Sequence, residues 1–98
     1  MINKNDGANQ KTVRVTFEIP PYLWANTVHL VGDFNNWSLE SMPLDHFGDN
    51  GWQITLELER DKSYQYRYLL DGSDWANDSN ADRYVHNPFG GENSVVDT

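Results

Sequence analysis

Two tryptophans sit where a chain turns. Trp37 ends the run Gly32-Asp33-Phe34-Asn35-Asn36-Trp37, and Trp75 ends Asp71-Gly72-Ser73-Asp74-Trp75. An indole on a polar, turn-forming segment forfeits the burial of its large apolar surface, so core packing does not explain it. Arg67, Asn35 and Asn36 lie nearby in sequence. Rigid rings offer flat apolar faces, while amides and a guanidinium offer hydrogen bonds at their edges. That combination suits a ligand with both C–H faces and hydroxyls, as in a sugar chain, whose pyranose faces lie on indoles.

The elements that must hold these residues read as strands. Val13, Val15, Phe17 and Ile19 alternate with Thr12, Arg14, Thr16 and Glu18, a period of two with one buried face. Pro20-Pro21 end that strand, because proline lacks a ladder donor and restricts the residue before it. A second strand is expected over 27–32, a short one over 42–45, and a hairpin turn over 47–51, where Gly and Asn supply positive φ. Trp52, Ile54, Leu56 and Leu58 then alternate with polar residues, which predicts a strand with Trp52 in the core. Tyr64, Tyr66, Tyr68 and Leu70 share one face of the next strand, so Arg67 points to the other. Residues 74–89 read as a loop, and 94–97 as a closing strand. No helical periodicity appears. The pattern predicts an all-β, immunoglobulin-like antiparallel β-sandwich.

At 98 residues the chain suits one domain, expected over 12–98 after a polar, disordered leader at 1–11. It has no cysteine, so packing rather than disulfides or thiolate-bound metal must hold it. The net charge of −8 opposes binding to nucleic acid or an anionic membrane, which needs basic side chains. The segment 1–7 lacks a basic-then-apolar signal pattern and no apolar stretch spans a bilayer, so the cytoplasm is the expected location. Asp78-Ser79-Asn80-Ala81-Asp82 begins like a calcium loop, but Arg83 and Phe89 occupy the positions that require glycine and glutamate. His29, His46 and His86 lack ligand spacing. Neither a metal nor a cofactor is expected. Nothing singles out a catalytic carboxylate pair among the 15 acidic residues, so no enzyme activity is expected.

Beyond these patterns, the chain resembles a known family. The Gly32–Trp37 run, Pro43-Leu44, Trp52 opening a strand, and Tyr66-Arg67-Tyr68-Leu69-Leu70-Asp71-Gly72 with Trp75 are similar to the family forty-eight carbohydrate-binding module. This early-set domain occurs at the N-terminus of isoamylases and branching enzymes of glycoside hydrolase family thirteen, and in the β subunit of AMP-activated protein kinase. The resemblance covers about residues 13–96. It implies a non-catalytic module for α-glucan, either glycogen or starch, with Trp37 and Trp75 as stacking residues. It also implies sugar contacts for Arg67, at the position of a lysine, and for Asn93. Phe89 falls where glycogen-binding members carry a leucine that threads the glucan, and Gly91 where they carry a threonine. Asn36 joins the candidate site through its place beside Trp37. The alternative is a protein-interaction module that contacts a glycogen-metabolising enzyme or a kinase-like partner through Tyr22, Trp24 or a strand edge.

Overall fold

The computed structural model describes residues 2–20, 25–48, 51–88 and 90–98. Nine strands run through them: β1 (Ile2–Asp6), β2 (Thr12–Ile19), β3 (Val28–Gly32), β4 (Asp45–His46), β5 (Trp52–Glu59), β6 (Ser63–Leu70), β7 (Asp74–Ala76), β8 (Arg83–His86) and β9 (Glu92–Asp97). One sheet has the order β1-β2-β5-β4. The other has the order β3-β6-β9-β8, with β7 also pairing β6. Every pairing is antiparallel, and the two sheets pack as a β-sandwich. Among the described residues no helix is long and apolar enough to cross a membrane.

The alternation read from the sequence fills the space between the sheets. Val13, Val15, Phe17 and Ile19 of β2 and Trp52 and Leu58 of β5 meet Val28, Leu30, Tyr66, Tyr68 and Val96 of the other sheet. Phe17 packs edge-on against Tyr66, with centroids 5.0 Å apart, and against Phe34 at 5.7 Å. Such pairs add about 0.5–1.5 kcal/mol beyond the area they bury. Trp52 is 6% exposed and stacks on His46 at 4.2 Å. The hydroxyls of Tyr66 and Tyr68 both donate to Asp78 Oδ2, at 2.9 and 3.1 Å. Asp78 is buried. Its Oδ1 accepts the Asn80 N–H at 3.0 Å, its own N–H donates to Ser94 Oγ at 2.9 Å, and its carbonyl accepts the Tyr84 hydroxyl. A buried carboxylate is tolerated when its lone pairs are satisfied in this way. Burial first, and the adjacent Asp78 charge second, raise both phenols well above their ordinary value.

Three expectations are corrected. Ile2–Asp6 is not part of an unordered leader but an edge strand on β2, in register from Ile2 with Phe17 to Asp6 with Val13. Only Ile2 of its five residues is even partly buried, so no apolar period marked it. The ladder holds it, helped by Lys4 to Asp82 at 2.6 Å and Asn3 to Glu18 at 3.1 Å. The segment 74–89, read as loop, contains β7 and β8, short polar strands that pair back on their sequence neighbours β6 and β9. The strand expected over 42–45 instead turns a corner. Leu30 N–H donates to Met42 O and Leu44 N–H to Val28 O beside β3, and the chain then crosses to pair Asp45–His46 with β5.

Candidate functional site

Trp37 is placed by a turn tied at both ends. Gly32 closes β3 so near β6 that a Cβ there would lie 2.4 Å from Gln65 O and 2.8 Å from Tyr66 Cβ, and only glycine permits the approach. A three-residue 3₁₀ turn, Asp33–Asn35, follows. The Asn35 amide accepts the Gly32 N–H and donates to Leu30 O, both at 3.0 Å. Asn36 and Trp37 then take left-handed φ values of 55° and 58°. Each costs about 1–2 kcal/mol for a residue with a Cβ. Asp33 helps to hold this conformation, because Oδ1 accepts the Trp37 indole N–H at 3.0 Å while Oδ2 accepts the Gln65 N–H of β6 at 2.8 Å.

Strand β6 places the rest. Its alternation turns Tyr66 and Tyr68 into the core and Gln65, Arg67 and Leu69 to the opposite face. One edge of β6 pairs with β9 over 63–66 and with β7 over 68–70, so Arg67 lies at the junction of the two ladders. Trp75 sits opposite Leu69 in the second ladder. The Arg67 guanidinium carbon lies 5.4 Å from the centroid of the Trp75 ring, a cation–π contact, and Trp75 remains 43% exposed. Arg67 Nε is buried without a hydrogen-bond partner among the described residues. On the β9 side, Asn93 is 8% exposed. It donates to Gln65 Oε1 at 3.0 Å and accepts from Asn87 Nδ2 at 3.2 Å.

These residues line one concavity of about 620 Å³, walled by Trp37 and Asp33, Trp75 and Arg67, and Gln65, Asn87, Pro88 and Asn93. Its apolar walls and few convergent polar groups match the usual anatomy of a small-molecule site. A family model described as carbohydrate-binding module 48 (isoamylase N-terminal domain) matches residues 7–96.

The chain belongs to the carbohydrate-binding module 48 family.

No curated protein matches it significantly. The family is one of carbohydrate-binding modules, and β1 lies ahead of the matched span. Of the candidates read from the sequence, the structure brings Trp37, Trp75, Arg67 and Asn93 together. Asn36 is exposed at the left-handed end of the turn and does not line the concavity. Phe89, like Tyr22 and Trp24, lies outside the described residues.

Four lining residues escaped the sequence reading: Asp33, Gln65, Asn87 and Pro88. Asp33 stands within the same turn motif as Trp37, and Gln65 stands two residues before Arg67 on the same strand face, so both carried a local signal. Asn87 carried none. It reaches the concavity because a tight turn, closed by Asn87 N–H to Gly91 O at 2.9 Å, returns the chain from β8 to β9.

Proposed function

We propose that this module binds α-glucan chains of the glycogen or starch type without catalysing their cleavage. Trp37 and Trp75 stack on glucose rings, Arg67 bonds hydroxyls between them, and Asn93 belongs to the polar floor. The observation that carries this reading is convergence: two indoles and a guanidinium, far apart in sequence, line one concavity. Stacking suits this ligand because each pyranose presents an axial C–H face to an aromatic ring, while its equatorial hydroxyls reach side chains at the ring edge. The Arg67 guanidinium lines the concavity beside Trp75 and offers hydrogen-bond donors alone.

Retention on insoluble starch and on glycogen tests the proposal. Binding is expected to persist nearly unchanged as salt is raised, because a neutral polymer releases no counterions. A protein that neither matrix retains would contradict the reading and leave the protein-interaction alternative in its place.

A further inference from the structure

The polar floor of the concavity has a fixed direction. A side-chain amide presents a carbonyl at one end and an NH₂ at the other, and its neighbours decide which end points where. The backbone N–H of Gly91 can only donate, and it meets Asn87 Oδ1 at 3.1 Å. This turns Asn87 Nδ2 toward Asn93 Oδ1 at 3.2 Å, which in turn directs Asn93 Nδ2 onto Gln65 Oε1 at 3.0 Å. Reversing any one amide would set two donors or two acceptors against each other. The carbonyl of Gln65 is therefore used inside the protein, and its Nε2 donors remain. Beside it stands Arg67, which has donors alone. The acceptor oxygens of Asp33 already hold the Trp37 indole and the Gln65 N–H.

We infer that Gln65 is a ligand-contacting residue oriented by the Asn87–Asn93 relay, and that the floor it forms with Arg67 selects ligands presenting oxygen lone pairs. This rests on the glucan reading and specifies how the sugar is met. Hydroxyl, ring and bridging oxygens accept from the floor, while the hydroxyl protons point outward. Asn93 then acts as a positioning residue through Gln65.

The test is titration of the full chain with maltoheptaose alongside Gln65→Met, Gln65→Glu and Asn93→Asp. Met and Glu keep the length of Gln65 but remove its donors, and each is expected to lose affinity about tenfold; Glu retains an acceptor for Asn93 Nδ2 and should leave the melting temperature unchanged, whereas Met orphans that donor and lowers it. Asn93→Asp places an acceptor against Gln65 Oε1, so the Gln65 amide turns over. Its side-chain NH₂ signals shift in the free protein, and affinity declines in step. Should that variant not fold, the two Gln65 variants still decide the matter. A parent that binds maltoheptaose, with Gln65 variants that bind as tightly, would overturn this inference alone. Unmoved Gln65 amide signals in a folded Asn93→Asp would overturn the relay. A parent silent toward maltoheptaose would overturn the glucan reading and this inference with it.

Discussion

Strand β6 faces two environments within a few residues. On its inner face Tyr66 and Tyr68 are almost wholly buried, and both hydroxyls end on one carboxylate, Asp78. On its outer face Gln65 and Arg67 line the concavity, and Arg67 Nε has no partner among the described residues. A buried polar group without a partner costs stability, so folding favours the closed accounts of the tyrosine face. The outer face leaves hydrogen-bonding capacity open beside an exposed indole. The same contrast separates the tryptophans: Trp52 is packed inside the sandwich, whereas Trp75 is 43% exposed beside Arg67.

Substitutions should break these two faces in different ways. Trp52→Ala empties an aromatic core site and is expected to cost roughly 3–5 kcal/mol of stability by denaturant unfolding. A variant as stable as the parent would undo the inner-face assignment. Asp78→Asn leaves a single acceptor oxygen for two phenols and the Asn80 N–H, so one group is orphaned at a cost of roughly 1–3 kcal/mol. On the outer face, Arg67→Ala is expected to weaken maltoheptaose binding by about 1–3 kcal/mol, while Arg67→Lys keeps part of it as a point donor. Calorimetry with each variant checks both, and the melting temperature should move little.

The tyrosine face also predicts a pH dependence. Burial, with Asp78 beside them, raises the Tyr66 and Tyr68 phenols, so the folded protein keeps protons that the unfolded chain releases near the ordinary value of 10.0. Their contribution is fully present below that value and is lost as the pH rises above it. Unfolding midpoints should therefore decline on the alkaline side, and Tyr68→Phe should flatten the decline. A midpoint indifferent to alkaline pH would contradict the closed tyrosine network.

What the sequence revealed divides along the same line. Strict alternation marked β2, β5 and the two faces of β6, because a half-buried strand writes its period into neighbouring residues. The indoles of Trp37, after the 3₁₀ turn, and Trp75, on the short strand β7, were legible for the opposite reason, since both stand in polar segments without an apolar period. Strand β1 was not, because an exposed edge strand held by backbone bonds needs no apolar period. Asp78 read as the start of a loop, although its role is set by Tyr66, Tyr68 and Ser94, which approach only in the fold. Gln65 likewise stood in view beside Arg67, but the direction of its amide depends on Gly91, Asn87 and Asn93 across the sheet. Local pattern exposes faces, and nonlocal hydrogen bonds assign what the faces do.

The central claim is that Trp37 and Trp75 serve a ligand rather than the core. Calorimetric titration of maltoheptaose into the parent, Trp37→Ala and Trp75→Ala, with melting temperatures taken on the same samples, tests it most directly. The account predicts measurable binding by the parent, none by either variant, and little change in melting temperature. Binding that survives both substitutions, or a collapse in stability that accompanies its loss, would contradict it.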